Sequence, residues 1–472
     1  MKLGAIDQGT TSSRALMLSD GKAELSATFT HKQSYPTSGW VEHDPRELLK
    51  NIQACSEALE SADALGLDNQ GESCLAWDRK TGQPISPVIV WQDNRTANVT
   101  NKLKKHGHEE RVKALSGLPL DPYFSASKLA WILENVPEAK ELLREKRLAL
   151  GTTDAFFLQN LVGRFVTDVT TASRTSLMNL QTMEWDDELC NLFGVPLDTL
   201  PEILATQDEF GELKVKGRKI PLRASVVDQQ ASLYGHGCRN VGDAKITLGT
   251  GAFALVINGD SPEMNDPHGL LPTVAWRLGS EAPIYALDGG VYNAASAVNW
   301  ARGLGLFSEY KEINTFETPT AIDRGLIFVP ALSGLACPHW QRDSRACFEG
   351  MSLDTGPLDL VQAVLEGVAL RIAEVIFAME KRVSIGEEIT IDGGLSNNSY
   401  ICQFMSEVLG RTIRVTNQPE LTAIGCAQLA GAGLDEVLVT EKKGRAYSPK
   451  GNLRPDWMEK FSSLVKRISR PS

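Results

Sequence analysis

The 472-residue sequence lacks the patterns that identify several common classes of protein. It contains no Walker-type phosphate loop and no GxGxxG segment, which removes P-loop NTPases and Rossmann dehydrogenases from first consideration. Its eight cysteines are scattered without a CxxC pair, which indicates reduced thiols and disfavours a zinc site. No apolar run approaches the roughly 20 residues that span a bilayer. Because Met1 and Lys2 lead directly into an apolar strand, we expect no signal peptide and a cytoplasmic protein without a membrane partner.

Basic residues are also fewer than acidic residues. The chain has 48 Lys and Arg residues against 59 Asp and Glu residues, which gives a formal net charge of −11. This balance argues against nucleic acid as a partner, since nucleic acid requires basic surfaces. An acidic protein that binds an anion must create its positive field locally, from backbone N–H groups, helix N-termini or a metal. The length predicts two or three domains.

The first notable pattern is a polar turn between two apolar strands, within residues 3–18. The turn runs from Asp7 to Ser13, is permitted by Gly9, and carries several hydroxyl groups beside exposed backbone N–H groups. Such a concave set of donors suits an oligophosphate. Asp7 stands at the end of the first strand and could hold a Mg²⁺ ion that the phosphates share. The alternative is an ordinary hairpin with a polar tip.

A second hairpin of the same kind occupies residues 244–257, with its turn at Gly249-Thr250-Gly251. Two phosphate-type hairpins in corresponding places of two halves indicate a duplicated domain with a nucleotide held in the cleft between them. We therefore predict an α/β protein with one domain over residues 1–238 and another over residues 239–472.

Three further segments combine a strand end with a polar turn. Residues 225–235 predict a buried strand that ends at Asp228 and turns at once into a helix. Asp228 is either a helix cap or a carboxylate held at the cleft. Residues 68–73 predict a polar turn that places Gly71 and Glu72 at the rim of a sheet, with Gln92 and Asp93 nearby. Residues 389–398 predict a glycine turn whose backbone can lie flat against a planar base.

Other segments have simpler interpretations. Apolar periodicity predicts helices at residues 45–59, 97–117, 125–147 and 359–382. Glycine and proline residues predict a loop at residues 332–350. Residues 422–431 form a helix of small residues suited to close packing beside the predicted base-binding turn. Residues 442–472 predict a terminal surface helix.

These segments together resemble the FGGY family of carbohydrate kinases, from residue 3 to about residue 435. The turn from Asp7 to Arg14 resembles the family's phosphate hairpin. Residues 123–135 fit its first signature, and residues 346–351 with 359–366 fit its second. The likeness is greatest to the branch of the family that acts on glycerol. It implies two RNase H-like domains of the actin/Hsp70 type that close on ATP, Mg²⁺ and a small polyol or sugar. The implied reaction moves the γ-phosphoryl group of ATP to a terminal hydroxyl.

The resemblance also implies a role for each matching residue. Asp228 would be the catalytic base and Gln229 would stand beside it at the substrate. The other substrate contacts would be Glu72 and Tyr123, with Trp91 and Phe253 as apolar walls. The phosphate contacts would be Thr10, Thr11, Ser12, Arg14 and Thr250. Gly394 and Asn398 would border the adenosine, and Asp7 would help to hold Mg²⁺.

The sequence departs from the glycerol branch at a few positions. Gly71 stands where that branch has an arginine, so a guanidinium that forks onto substrate hydroxyls is missing. We expect its loss to open room beside Glu72, so that a longer polyol such as erythritol, or a ketose, is the alternative acceptor. Ala295 and Asn299 replace Gly and Gln at the nucleotide site. An ATP-binding protein of the actin/Hsp70 type without an acceptor is the third hypothesis, and we expect a homodimer or homotetramer.

Overall fold

A computed structural model of the protein describes residues 1–264, 266, 268–434, 444–451 and 453–469. Along these residues the strands are β1 Lys2–Gln8, β2 Ser12–Ser19, β3 Lys22–Thr30, β4 Glu42–His43, β5 Ala64–Asn69, β6 Cys74–Asp78, β7 Val88–Ile89, β8 Leu148–Thr152, β9 Val166–Asp168, β10 Met178–Asn179, β11 Glu184–Trp185, β12 Glu202–Leu204, β13 Gln207–Val215, β14 Arg218–Val227, β15 Ala244–Leu248, β16 Ala252–Gly259, β17 Leu271–Trp276, β18 Ile284–Val291, β19 Ile327–Val329, β20 Cys347–Glu349, β21 Glu388–Asp392, β22 Thr412–Thr416 and β23 Gly444–Tyr447.

The helices along the same residues are α1 Pro45–Ala58, α2 Ala97–Lys105, α3 Glu109–Ser116, α4 Ser125–Asn135, α5 Pro137–Arg144, α6 Thr153–Val162, α7 Val169–Ala172, α8 Asp187–Phe193, α9 Asp228–Gly235, α10 Ala295–Gly303, α11 Pro357–Glu380, α12 Ser399–Leu409, α13 Leu421–Gly431 and α14 Pro455–Ile468. A short 3₁₀ turn, Gly394–Asn397, precedes α12. None of the helices in the described ranges combines the length and the apolar character needed to cross a membrane.

The first large sheet has the strand order β13-β14-β5-β1-β2-β3. Strand β1 pairs with β2 in antiparallel fashion and with β5 in parallel fashion, and β14 continues the parallel set beyond β5. Asp7 on β1 lies opposite Asp68 on β5, and Asn69 lies opposite Val227 on β14. The carboxyl ends of three parallel strands therefore meet at one edge of the sheet, where ligand sites of such sheets open.

The second large sheet has the order β17-β18-β16-β15-β21-β22-β23. Its central hairpin, β15 with β16, is antiparallel, and β21 and β22 extend it in parallel. Within each sheet five strands have the same arrangement, with three antiparallel strands joined to two parallel ones, and the second sheet has the additional strand β17 between β16 and β18 in sequence. This repeat confirms the predicted pair of RNase H-like domains. The boundary at residue 238 stays a prediction.

Helix α13 departs from its predicted place. It packs against α9 and against strands β1, β5 and β14 of the first sheet, although it follows most of the second sheet in sequence. Its glycines explain the close approach, because a β-carbon at Gly425 would lie 1.9 Å from the carbonyl oxygen of Ala231 on α9. A β-carbon at Gly235 would likewise lie 2.0 Å from the carbonyl oxygen of Leu421. The predicted packing of this helix beside the base-binding turn is wrong.

The other secondary-structure predictions hold in outline. The helix that starts at Pro45 is present, with Asp44 accepting a hydrogen bond from the N–H of Arg46 as its N-cap. The two long helical segments are each divided in two, around Gly107 and before Pro137. Strand β20 lies within the predicted loop 332–350, and β23 lies within the predicted terminal helix. Part of that terminal segment falls outside the described residues.

Candidate active site

Three carboxylates lie at the edge where β1, β5 and β14 end. Asp7 and Asp68 are opposite each other on adjacent strands, and Asp228 follows β14 as the first residue of α9. Burial raises the pKa of Asp7, and burial together with the charge of Asp7 raises the pKa of Asp68 well above its usual range. Burial, then the charges of Glu72 and Asp7, raise the pKa of Asp228 to about 7. This cluster thus holds a carboxyl group that can exchange a proton near neutral pH.

Of these three carboxylates, Asp228 lines a cleft of about 590 Å³ between the two sheets. Ten of the predicted site residues line it: Thr10, Thr11, Gly71, Glu72, Trp91, Tyr123, Asp228, Gln229, Thr250 and Phe253. The ring of Trp91 meets that of Tyr123 edge to face at 5.7 Å and that of Phe253 at 6.1 Å. Residues that are far apart in sequence therefore form one pocket with a carboxylate floor and aromatic walls.

Asp228 does not cap its helix in the usual way. It occupies the first helical position, after Val227 at the N-cap, and its Oδ1 accepts a hydrogen bond of 2.7 Å from the N–H of Gln229. Because the residue also lines the cleft, its carboxyl group is held in place by the helix start and faces the pocket.

Glu72 is part of a buried ion-pair chain that the sequence did not indicate. Nε of Arg174 donates to Oε1 of Glu72 at 2.6 Å, and Nη2 of Arg174 lies 3.0 Å from Oδ2 of Asp288. Arg174 follows α7, whereas Asp288 lies on β18 of the second sheet, so this guanidinium ties the two halves together at the cleft. Burial raises the pKa of Glu72, while the charge of Arg174 opposes that rise.

Lys245 is a second residue that sequence reasoning missed. It is fully buried on β15, and its Nζ donates to Oε1 of Gln229 at 2.6 Å and to Oγ1 of Thr247 at 3.0 Å. Burial lowers the pKa of Lys245, and its charge lowers the pKa of Asp228. A lysine within the short, mostly apolar strand β15 was the available signal, because an ammonium group is rarely buried without partners.

The surroundings of Gly71 bear on the expected room beside Glu72. A β-carbon at this position would lie 3.0 Å from Cγ1 of Val227, which is closer than an ordinary contact. The methyl group of Val227 therefore restricts a side chain at position 71. Gly71 and Glu72 both line the cleft, and the expected room for a longer acceptor stays a prediction.

Three predicted site residues of the first hairpin, Asp7, Ser12 and Arg14, are not part of the cleft lining. Ser12 begins β2, where its carbonyl oxygen accepts from the N–H of Gly9 at 3.0 Å and closes the turn. Nη1 of Arg14 lies 2.7 Å from Oε2 of Glu420 and 3.8 Å from Oδ2 of Asp7. Arg14 therefore connects the hairpin to the residue before α13, while Thr10 and Thr11 face the cleft.

A second cavity, of about 490 Å³, lies on the other side of the second hairpin. Its lining includes the predicted nucleotide residues Thr250, Ala295, Asn299, Gly394 and Asn398. A β-carbon at Gly393 would lie 2.4 Å from the carbonyl oxygen of Leu248, so the glycine turn approaches the hairpin backbone closely. The side chain of Asn398 donates to the carbonyl of Ile313 at 2.8 Å, which fixes the wall of the cavity.

Thr250 connects the two spaces, since it lines both the cleft and the second cavity. Its carbonyl oxygen accepts from the N–H of Ala294 at 3.0 Å, just before α10 begins. An elongated ligand can therefore extend from the second cavity, past the glycine-rich turn, to the carboxylates of the first sheet.

Comparisons with known proteins agree with this arrangement. Residues 2–235 match the N-terminal domain of the FGGY family of carbohydrate kinases, and residues 244–434 match its C-terminal domain. The chain is 40% identical over 467 residues to the glycerol kinase of Burkholderia multivorans, with 94% of this chain and 93% of that protein covered. It is 40% identical over 490 residues to the glycerol kinase of Gluconobacter oxydans, covering 99% and 95% of the two chains.

Solved structures lead to the same family. The crystal structure of Plasmodium falciparum glycerol kinase with ADP superposes with a TM-score of 0.91 at 28% identity, covering 100% of this chain and 99% of that one. A ligand-bound xylulose kinase from Lactobacillus acidophilus superposes with a TM-score of 0.85 at 22% identity, covering 99% and 96%, and shares the fold. With two domain matches that together span most of its length, this chain belongs to the FGGY family of carbohydrate kinases.

Proposed function

We propose that this protein transfers the γ-phosphoryl group of ATP to a terminal hydroxyl of a small polyol, with glycerol as the first acceptor to test. The observation that carries the proposal is Asp228, whose partly buried carboxyl group faces a cleft that meets the second cavity at Thr250. The curated relatives named glycerol kinase support glycerol as the acceptor.

Asp228 acts as the general base. The pKa of a primary alcohol lies far above 7, so its proton must leave as the new bond to phosphorus forms, and a carboxylate at hydrogen-bond distance takes it. Such a base contributes about 10²–10⁴ in rate. Because the pKa of Asp228 is raised to about 7, the group is partly ionised at neutral pH and is a stronger base than an ordinary carboxylate.

Gln229 orients the reacting hydroxyl. Because its Oε1 accepts from Nζ of Lys245, the amide NH₂ group is left free to donate toward the cleft. A hydroxyl oxygen that accepts from this NH₂ group directs its own proton to Asp228 and keeps a lone pair for attack. Lys245 is then a positioning residue, and Glu72, Tyr123, Trp91 and Phe253 hold the rest of the acceptor.

The phosphate chain lies between the two hairpins in this proposal. Thr10 and Thr11 contact it from the first hairpin and Thr250 from the second, where backbone N–H groups supply the local positive field. Asp7 would hold Mg²⁺, with Asp68 beside it, and this ion would supply neutralisation of charge on the phosphates. All of these contacts, including those of Ser12 and Arg14 with phosphate, stay predictions, and Asp7, Ser12 and Arg14 do not line the cleft.

The second cavity takes the adenosine. Ala295 and Asn299 lie at the start of α10, and Gly394 and Asn398 border the glycine turn on the opposite wall. In this proposal residues 1–238 hold the metal and, apart from Phe253, the acceptor, and residues 239–472 hold the nucleotide base. The homodimer or homotetramer stays a prediction.

The test is the release of ADP in a coupled assay with glycerol, other polyols and ketoses, with identification of the phosphorylated product. Turnover of glycerol to glycerol 3-phosphate supports the proposal. ATP hydrolysis at a rate independent of every acceptor would instead identify an ATP-binding protein without phosphotransfer to an alcohol.

A further inference from the structure

A buried histidine lies behind the turn of the first hairpin. His31 follows β3 directly and is only 7% exposed. Its Nε2 lies 3.2 Å from the carbonyl oxygen of Gly9 and 3.2 Å from that of Thr10. Its backbone N–H donates to the carbonyl oxygen of Thr11 at 3.2 Å. One residue therefore contacts three consecutive carbonyl groups of the turn.

The two carbonyl groups at the ring determine which nitrogen of His31 carries the hydrogen. A carbonyl oxygen only accepts hydrogen bonds, so Nε2 is the nitrogen that donates. Burial lowers the pKa of His31, which favours the neutral ring. Protonation would take place at Nδ1 and would leave the Nε2–H group as it is. The contact with the turn therefore does not depend on pH.

A second buried histidine packs against this ring. The rings of His31 and His43 meet edge to face, with their centroids 5.0 Å apart. His43 is 1% exposed, and its Nδ1 lies 3.0 Å from the carbonyl oxygen of Lys32, to which it donates. Because His43 is fixed at the end of β4 by this bond, it restricts the orientation of the His31 ring. Nε2 of His31 is thus held at the turn.

The carbonyl groups that His31 contacts decide where the adjoining N–H groups point. In a trans peptide the C=O and N–H bonds point in opposite directions, and the carbonyl groups of Gly9 and Thr10 share their peptides with the N–H groups of Thr10 and Thr11. Both threonines line the cleft, whereas His31 does not. Among the described residues, neither of these two N–H groups donates a backbone hydrogen bond. Successive N–H groups that point the same way form a binding site for anions.

We propose that His31 is a positioning residue for the phosphate chain of the nucleotide. Its Nε2–H group holds the two peptides that follow Gly9 and Thr10, so that their N–H groups are directed at the phosphates. His31 itself does not touch the nucleotide. This inference rests on the proposed function, because it concerns the turn that binds phosphate there.

The test measures the dissociation constants of ADP, inorganic tripolyphosphate and adenosine by calorimetric titration of the wild type, His31→Phe and His31→Gln. Phenylalanine keeps a ring of similar size and loses the donor. The Kd of ADP and of tripolyphosphate should therefore rise about 3- to 10-fold, while the Kd of adenosine stays unchanged. Glutamine places an amide N–H at a reach similar to that of Nε2, so His31→Gln should bind all three ligands nearly as the wild type does.

The matched control is His106→Phe. His106 is an exposed histidine at the end of α2, so the same exchange there should leave all three dissociation constants unchanged. In the coupled assay, His31→Phe should raise the KM for ATP by the same factor as the Kd of ADP and leave the KM for the acceptor unchanged. A general loss of structure would instead change both KM values and the binding of adenosine.

Three results overturn the inference: unchanged binding of ADP in His31→Phe, an equal loss of affinity for adenosine, or a His31→Gln variant as weak as His31→Phe. Failure of the proposed function is a different outcome. If the variants bind as expected but the wild type phosphorylates no acceptor, His31 positions a phosphate-binding turn and the kinase proposal is wrong. If the wild type phosphorylates an acceptor and His31→Phe binds ADP normally, the kinase proposal holds and His31 has no positioning role.

Discussion

The two halves of the molecule use one scaffold for opposite electrostatic purposes. In the first half, strands β3-β2-β1-β5-β14 place Asp7 opposite Asp68, and in the second half strands β18-β16-β15-β21-β22 place Thr247 opposite Asp392. The backbone is equivalent at the two sites. The side chains around it are not.

The difference appears in two carboxylates at strand ends that are not equivalent to each other: Asp228 follows β14 in the first half, and Asp392 ends β21 in the second. Burial and the neighbouring charges of Glu72 and Asp7 raise the pKa of Asp228 to about 7. Burial also opposes ionisation of Asp392, but His236 and then Lys245 outweigh it and lower its pKa to about 2. Nε2 of His236 lies 3.3 Å from Oδ2 of Asp392. A carboxyl group at a strand end is therefore a proton acceptor in one half and stays ionised in the other, because the neighbouring charges are negative in the first case and positive in the second.

The largest expected effect removes the basic group of the first half. Asp228→Asn keeps the shape of the side chain and loses the proton acceptor, so we expect a fall in kcat of at least about 10²-fold with normal folding. Steady-state kinetics and thermal melting measure the two properties. Near-full activity of this variant would show that Asp228 only stabilises the start of α9.

The pH dependence of the wild type tests whether Asp228 must be ionised for activity. Because Asp228 must be ionised and its pKa is about 7, kcat should fall about tenfold per pH unit well below that value and level off above it. A pH–rate profile between pH 5 and 9, checked for reversible loss of activity, measures this limb. A rate independent of pH from 5 to 7 would contradict the role of the base.

A smaller effect is expected from the cation of the second half. Lys245→Met removes the hydrogen bond to Gln229, so kcat should fall about 10-fold. The charge of Lys245 lowers the pKa of Asp228, so its removal should move the acidic limb to higher pH. Lys219→Met, at an exposed lysine paired with Glu212, is the matched control. If Lys245 acts through Gln229, the double variant Lys245→Met, Gln229→Leu should have nearly the same kcat as Gln229→Leu alone.

The pH–rate profile gives the contradicting outcome. If the acidic limb of Lys245→Met lies at the same pH as in the wild type, Lys245 has a purely structural role.

The smallest effect on the chemistry is expected where the two halves join. Gly425→Ala forces α13 away from α9 and should lower the free energy of unfolding by about 1–3 kcal/mol. Gly303→Ala, at a helical glycine with open space around its α-carbon, should be neutral or stabilising. Thermal or denaturant unfolding of both variants gives the comparison. Equal free energies of unfolding for the two variants would show that the close contact between α9 and α13 does not contribute to stability.

The sequence by itself determined the features that depend on local chemistry. Both glycine-containing hairpins, the turn from β14 into α9 at Asp228 and the glycine turn before α12 follow from short apolar runs interrupted by turn residues. The spaced motifs placed the chain in its family. Their order along the chain carried this information without any long-range contact.

Only the tertiary structure decided which distant residues meet. Arg174 pairs with Glu72, which lies 102 residues earlier in the sequence, and with Asp288 on the other side of the cleft. No local sequence pattern predicts either contact. The bond between Lys245 and Gln229 likewise needs two elements from different sheets. Helix α13 returns to the first sheet because its small residues fit α9, and Val227 lies next to Gly71 because β14 pairs with β5. Periodicity reports which face of an element is buried, but the partner that buries it is fixed by packing of the whole chain.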